Sequence, residues 1–228
     1  MDGKKQSPID IIVGAPFVHL QTESFEEVNY EPLRDVLCGY DGHAVSCQWD
    51  AAKNPTNSIV IKGKTYNLSN FHFHTPSEHR IDNHFADAEL HLVHQSEDKA
   101  LAVIGLLLEV TAQENPFFNW ITALDKQVNR NAGGHGFMVK DAVTGAPVPG
   151  KEQAKYKVRK VDFKNLIKAT REFTPRWEYE GSLTTPPCSE GVAWNVVKTP
   201  VRLGLKQYDA LVSLEAFNSR YLQDREKK

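Results

Sequence analysis

The sequence has few cysteines and no long apolar run, and these absences exclude several classes of protein. The chain has 228 residues with 3 Cys, none of them in a Cys-x-x-Cys pair, which argues against a zinc site built on thiolates. The longest apolar run, residues 101–108, is far shorter than the ~18 residues that a membrane-spanning helix needs. We therefore predict no membrane span.

Neither sign of charge is in excess, and the sequence contains no internal repeat and no low-complexity tract. Lys and Arg number 27 against 29 Asp and Glu, which gives a formal net charge of −2. A nucleic-acid-binding domain normally carries a basic face, so no nucleic-acid partner is expected. Hydrophobic residues make up 40% and charged residues 25%, an ordinary balance for a globular protein, and we predict a single domain over residues 1–228.

Strand patterns outnumber helix patterns. Residues 58–68 alternate around a turn at 62–64 and predict a hairpin, and further strands are predicted at 70–74, 89–94, 101–110 and 191–199. One helix is predicted to begin at Asn115 and Pro116 and to end at Gly133 and Gly134. A second is predicted after residue 162, a third at 206–215, and a surface loop at 141–152. The fold class is therefore mainly β (α+β), with short helices packed around a sheet.

The most specific local pattern is Phe-His-Phe-His at residues 71–74. Alternate side chains of a strand share a face, so His72 and His74 point to one side and the two phenylalanines to the other. The next predicted strand carries Glu89 and His91 on one face. If the two strands are neighbours, three imidazoles converge on one cation and leave a fourth position open, which is the pattern of a catalytic zinc.

Two polar residues on the same faces are candidates to orient these ligands. Glu89 could accept a hydrogen bond from the free N–H of a ligand imidazole and so fix its tautomer. Asn70, two residues before His72, could do the same for that ring.

Two other interpretations of the histidines stay open at this point. They could be core or surface histidines without a metal, as we expect for His19, His79, His84, His94 and His135. Alternatively, the spacing His72-x-His74-x-x-x-Glu78 matches the start of the metal site in cupin barrels, where Glu78 would be a ligand of iron or manganese.

Several motifs together resemble the alpha-class carbonic anhydrases, and they occur in that family's order over nearly the whole chain. They are Gln-Ser-Pro-Ile at 6–9, Phe-His-Phe-His at 71–74, Ser-Glu-His at 77–79, Ala-Glu-Leu-His-Leu-Val-His at 88–94, Leu-Ala-Val at 101–103, and Gly-Ser-Leu-Thr-Thr-Pro-Pro-Cys at 181–188. The resemblance implies a large, mostly antiparallel twisted sheet with zinc at the base of a conical cleft. The cupin interpretation does not account for the later motifs.

The resemblance also implies roles for individual residues. His72, His74 and His91 match the zinc ligands, and Asn70 and Glu89 match the positions that orient them. Thr184 matches the hydroxyl that accepts a hydrogen bond from zinc-bound hydroxide and donates one to Glu78, which is then not a ligand. The residues that match the wall of the carbon dioxide pocket are Val93, Val103, Leu183, Val192 and Trp194, with Thr185 on the other side. His43 matches the proton shuttle, a role that suits a side chain with a pKa near ~6.5.

The implied activity is the reversible hydration of carbon dioxide to bicarbonate and a proton by zinc-bound hydroxide. An inactive binding module on the same fold is the alternative, although such relatives lack one or more of the zinc-binding histidines and all three are present here.

The cysteines bear on the cellular compartment. Cys188 matches a position that extracellular relatives use in a disulfide, although the partner position is missing here, and on this basis we predict a secreted or periplasmic protein. The polar start of the chain, residues 1–5, shows no signal peptide, which a trimmed mature form would explain as well as a cytosolic origin would. Cys38 and Cys47, which flank His43, could form a disulfide or remain buried thiols.

Overall fold

A computed structural model describes residues 3–40, 44–132 and 155–224, and strands dominate these residues. The strands are β1 Asp10–Ile11, β2 His19–Gln21, β3 Glu27–Asn29, β4 Leu33–Tyr40, β5 Val45–Gln48, β6 Ser58–Ile61, β7 Lys64–His74, β8 Arg80–Ile81, β9 His84–Phe85, β10 Ala88–Gln95, β11 Leu101–Thr111, β12 Tyr156–Val161, β13 Arg176–Ser182 and β14 Glu190–Gly204. The α-helices are α1 Asn119–Ala132, α2 Lys164–Ala169 and α3 Leu205–Glu215, and short 3-10 helices cover Ala51–Lys53 and Pro116–Phe118.

Eleven of these strands form one large mixed sheet. Its main path runs β12-β4-β5-β7-β10-β11-β14-β13-β2, and β6 joins β7 to β3 beside this path. Its neighbouring strands are antiparallel except for the pair β11–β14, which is parallel. The sheet is therefore mostly antiparallel, as the family resemblance implied. The three remaining strands, β1, β8 and β9, form a small separate sheet.

The predicted hairpin at residues 58–68 is present as β6 and β7. Ile61 pairs with Lys64, so the connection has only two residues, Lys62 and Gly63. Both have positive φ, 51° and 72°, which is the requirement of the tight turn that best matches the twist of a hairpin.

The large sheet is covered by apolar residues on both faces. One cluster contains Phe71 and Phe73 of β7 together with α1 residues, and the other contains Val93, Val103 and Trp194. Period-two alternation explains this division, because neighbouring residues of a strand face opposite sides of the sheet: Leu92 of β10 enters the first cluster and Val93 enters the second. Both phenylalanines are fully buried and lie in one cluster, on the face opposite to the histidines that the alternation predicted.

The predicted helices are also found. The Asn115 side chain accepts a hydrogen bond from the Phe117 amide at 3.0 Å and starts the 3-10 turn that leads into α1. The apolar residues Phe117, Ile121, Leu124 and Val128 recur at helical spacing along this segment, and all four are buried. α2 and α3 lie where the sequence predicted helices. The predicted end of α1 at Gly133 and Gly134, and the predicted loop at 141–152, lie outside the described residues.

The sequence left the state of Cys38 and Cys47 open, and the structure joins them in a disulfide. The two cysteines pair directly across β4 and β5, with Cα atoms 4.1 Å apart, and both are fully buried. Cys188 is a buried free thiol.

Candidate metal centre

The three histidines are brought together by the register of β7 and β10. These strands are antiparallel neighbours, with His91 directly opposite His72 and Glu89 directly opposite His74. Because residues two apart on a strand share a face, His74 lies on the same face as the other two imidazoles. The condition that the sequence left open, that the two strands are neighbours, is met.

The geometry of the three rings fits one small cation. The His91 Nδ1 and His72 Nε2 atoms are 3.3 Å apart, and one nitrogen from each of His72, His74 and His91 lies within 4.8 Å of the others. Ligands at the usual Zn–N distance of ~2.0–2.1 Å in a tetrahedron are about 3.3–3.4 Å apart, so the closest pair already has the spacing that zinc requires.

Unpartnered buried atoms support the same assignment. His74 is 1% exposed, and neither of its ring nitrogens has a hydrogen-bond partner among the described residues. A buried polar atom without a partner is costly, and a bound cation would remove this cost for one of the two nitrogens. The chemistry of the donor set, three imidazoles, suits zinc.

A second group of potential ligands, His79, Glu89 and His91, is occupied by hydrogen bonds instead. Glu89 Oε1 lies 2.7 Å from His79 Nδ1 and 2.9 Å from His91 Nε2, and the other Glu89 oxygen accepts the amides of Glu78 and His79. Both oxygens of the carboxylate are therefore hydrogen-bonded within the protein. We interpret this group as one that orients the metal ligands and not as a second metal site.

The two predicted orienting residues contact the expected rings. Glu89 bonds the Nε2 atom of His91, which leaves Nδ1 directed to His72. Asn70 Oδ1 lies 3.2 Å from His72 Nδ1, which leaves Nε2 of that ring directed to the centre. Each contact fixes which nitrogen of the imidazole is free to bind a metal.

Burial favours the neutral form of His72 and His74, which is the form that binds metal. Burial, together with a smaller electrostatic influence of the neighbouring His91, lowers the pKa of His72 to about 3. Burial likewise holds the pKa of His74 well below its ordinary value. For Glu89, burial acts to raise the pKa, but the interactions with His79 and His91 outweigh it and hold the pKa of the carboxyl well below its ordinary value.

Glu78 lies beside the three histidines, but its carboxylate is not placed among their ring nitrogens. Its Oε2 atom is 3.5 Å from His74 Nε2 and 4.0 Å from His91 Nδ1, and its Oε1 atom accepts the Arg220 amide at 2.9 Å. Burial raises the pKa of Glu78 to about 7, against a lowering influence from the Thr184 hydroxyl among others. The structure thus brings Glu78 and Thr184 together beside the three imidazoles.

An apolar wall adjoins the histidines. Val93 pairs with Val103 across β10 and β11, and Val103 pairs with Trp194 across β11 and β14. The Trp194 ring centroid is 4.8 Å from that of His91. Val192 belongs to the same buried cluster, and Leu183 packs against it, half-buried. Thr185 is half-buried in the turn that follows Thr184.

Several residues of the site were not found from the sequence. His79 was expected to be an ordinary histidine, yet it links Glu89 to the Tyr179 hydroxyl at 2.6 Å, and that hydroxyl lies 2.9 Å from Ser7 Oγ. The only signal for His79 was its place in the Ser-Glu-His motif. His43, the predicted shuttle, lies outside the described residues.

Comparison with known proteins decides the family. The sequence profile of the eukaryotic-type carbonic anhydrases matches residues 1–226. The chain belongs to the carbonic anhydrase family. An enzyme of this family is a lyase that acts on carbon dioxide and bicarbonate, and the cupin interpretation is excluded.

Individual relatives agree with this membership. The chain is 30% identical to a carbonic anhydrase of Nostoc sp. over 97% of this chain and 73% of the relative, and 33% identical to alpha carbonic anhydrase 3 of Arabidopsis thaliana over 92% of this chain and 65% of that relative. A fungal alpha carbonic anhydrase from Aspergillus oryzae has a similar structure, with a TM-score of 0.78 and 26% identity over 97% of this chain and 83% of the other. Among the described residues, no helix is long and apolar enough to cross a membrane.

Proposed function

We propose that the chain is a zinc enzyme that catalyses the reversible hydration of carbon dioxide, with His72, His74 and His91 as the metal ligands. The observation that carries this proposal is the convergence of three imidazoles, one of them buried with both nitrogens unpartnered. Family membership supports the reaction, and the donor set supports zinc.

When bound by three neutral imidazoles, zinc lowers the pKa of a coordinated water and so supplies hydroxide near neutral pH, an effect for which carbonic anhydrases are the usual example. Residues of this chain orient the metal ligands and keep protons off them. Glu89 and Asn70 hold two of the rings in the tautomers that point the free nitrogens at the centre. The lowered pKa values of His72 and His74 keep protons from competing for these nitrogens.

Thr184 and Glu78 select and orient the attacking group. In this proposal the Thr184 hydroxyl donates to Glu78, so its oxygen faces the centre as an acceptor. An attacking group that can donate a proton to this oxygen is then favoured over an anion that cannot. The position of Glu78, close to two imidazoles but held by the Arg220 amide, supports this role over that of a ligand.

The apolar wall receives the substrate. Carbon dioxide has no net dipole and no hydrogen to donate, so an apolar surface binds it without leaving polar groups unpaired. Val93, Val103, Val192 and Trp194 are nearly fully buried in one cluster beside His91, and Leu183 packs against them. We assign the carbon dioxide pocket to these residues, with Thr185 on the opposite side.

His43 is proposed to carry the released proton to solvent, since an ordinary imidazole titrates near the working pH. We further propose one domain over residues 1–228.

The Cys38–Cys47 disulfide supports a secreted or periplasmic location, because disulfides persist in oxidising compartments.

The decisive experiment is stopped-flow hydration of carbon dioxide on protein of measured zinc content, before and after chelation. We expect roughly one zinc per chain, with activity that is lost on stripping and restored by zinc. Zinc bound without hydration activity would contradict the proposal and favour an inactive binding module.

Two variants test individual roles. His91→Ala should abolish zinc binding, and full retention of metal would remove His91 from the ligand set. His43→Ala should slow turnover in weak buffer and recover with added imidazole, whereas unchanged turnover in both conditions would exclude the shuttle role.

A further inference from the structure

The chain segment after α3 lies against the end of β7, which carries His74, and against the segment after it, which carries Glu78. We call residues 218–223 the C-terminal strap. The Asn218 amide donates to the Thr75 carbonyl at 3.2 Å, and its side chain accepts the Thr75 amide at 2.9 Å and donates to the Phe73 carbonyl at 3.0 Å. The strap is therefore fastened to the main chain on both sides of His74.

Arg220 extends from this strap in two directions. Its backbone amide donates to Glu78 Oε1 at 2.9 Å. Its guanidinium donates through Nη1 to the Ser7 carbonyl and through Nη2 to Gln6 Oε1, the latter at 3.1 Å. One residue thus joins the carboxyl group beside the metal centre to the N-terminal segment.

The N-terminal segment in turn holds the segment that contains Thr184. The Ser7 amide donates to Ser182 Oγ at 2.9 Å, and the Gln6 side-chain amide donates to the Cys188 carbonyl at 3.2 Å. Gln6 and Ser7 are both buried, so these bonds are shielded from water. Arg220 is consequently connected to Glu78 by its own amide and to both ends of the segment 182–188 through two residues.

We propose that Arg220 is a positioning residue that holds Glu78 and the Thr184 segment in a fixed mutual arrangement. This inference rests on the proposed roles of Glu78 and Thr184. A guanidinium suits the task because its planar fork reaches two acceptors at a fixed angle, which an ammonium group does not reproduce.

A double-mutant cycle tests whether Arg220 acts through Glu78. Arg220→Ala keeps the backbone amide but releases the strap from Gln6 and Ser7, and we expect it to lower kcat for carbon dioxide hydration about tenfold with zinc content unchanged, since small misplacements of orienting groups are costly. In a Glu78→Ala background the same substitution should change kcat less than about twofold, because coupled residues are not additive. Arg220→Lys should recover only part of the loss.

Gln223→Ala is the matched control within the strap. The Gln223 side chain is partly exposed and its hydrogen bond among the described residues is to the Tyr221 carbonyl, while its backbone bond to Pro8 is kept by the substitution. It should leave kcat unchanged. Equal losses from Arg220→Ala in the two backgrounds, or no loss in either, would overturn the proposal.

Hydrogen exchange provides a readout that does not depend on activity. Arg220→Ala should speed amide exchange in the strap and in residues 182–188, but not in the centre of β10 or β11. If the zinc-loaded wild type is inactive while this pattern appears, the proposed function fails and the connection made by Arg220 stands. If the wild type is active and exchange in these segments is unchanged, the positioning role of Arg220 is wrong.

Discussion

The Nε2 atom of His91 lies 2.9 Å from Oε1 of Glu89, and both side chains are at most 1% exposed. The same carboxylate accepts from His79, whose other nitrogen lies 2.6 Å from the Tyr179 hydroxyl. A proposed metal ligand is therefore held by a buried network of hydrogen bonds that runs from His91 through Glu89 and His79 to Tyr179.

Replacing Glu89 by Gln should weaken zinc binding. The amide has one acceptor oxygen in place of two and carries no charge, so it cannot serve His79, His91 and the two backbone amides together. Loss of such a partner typically costs ~10–100-fold in metal affinity. Competition with a chromophoric chelator measures this affinity, and Glu97→Gln, at an exposed position, is the matched control. Equal affinities in the two variants would show that Glu89 does not orient His91.

Gly105 leaves the space that the Glu89 carboxylate occupies. A Cβ atom at this position would lie 2.8 Å from Glu89 Oε1, so we expect Gly105→Ala to displace the carboxylate that bonds His91. We expect weaker zinc binding and a loss of about 1–3 kcal/mol in the free energy of unfolding. Urea unfolding and chelator competition measure the two effects.

Gly63→Ala separates these effects. Nothing lies within 4 Å of a Cβ atom at Gly63, but its φ is +72°, so alanine there is strained. It should lower stability while leaving zinc affinity unchanged. If zinc affinity followed stability in both glycine variants, the displacement of Glu89 would not be the cause.

The buried His94 should make the fold sensitive to acid. Burial lowers the pKa of His94 to about 4, and its Nε2 atom lies 2.6 Å from the Tyr30 hydroxyl. As pH falls from ~6.5 towards 4, the unfolded chain binds a proton that the folded chain does not, so the free energy of unfolding decreases, by a total on the order of 3 kcal/mol. Above ~6.5 this contribution is fully present.

Urea unfolding of zinc-free wild type and His94→Gln at about pH 7 and pH 5 measures this contribution. Zinc-free protein is used so that release of the metal in acid does not enter. The wild type should lose more stability between the two conditions than the variant does. The same loss in both proteins would assign the acid sensitivity to other groups.

The Cys38–Cys47 disulfide should stabilise the fold by restricting the unfolded chain. Closing a loop of this size is worth about 2–3 kcal/mol. The free energy of unfolding of the double variant Cys38→Ala/Cys47→Ala, measured by urea unfolding, should therefore be lower by that amount. Alkylation of the unfolded, unreduced wild type should label one thiol, Cys188. Three labelled thiols would contradict the disulfide.

Much of the fold follows from local patterns. The alternation in β7 and β10 predicted which side chains share a face. The turn predicted at 62–64 gave the hairpin, although Lys64 already pairs with Ile61 and belongs to β7. Asn115 and Pro116 predicted the start of a helix. These features depend on the period of a strand or helix and on local hydrogen bonds, which neighbouring residues determine.

The site was only partly predictable for the same reason. The sequence placed His72 and His74 on one face and Glu89 and His91 on another, but it did not state that the two strands are neighbours, and it treated His79 as an ordinary histidine. Nothing local marked Gly105 or Arg220, because each acts through contacts with residues far away in the chain.

The sequence by itself determined the residue types of the centre, the faces on which they lie and the family to which the chain belongs. Only the tertiary structure decided that His91 lies opposite His72, that Cys38 and Cys47 are joined, and that Arg220 connects Glu78 to the N-terminal segment. Strand register, disulfide pairing and long-range hydrogen bonds are set by burying both faces of the large sheet at once, and no single segment contains that information.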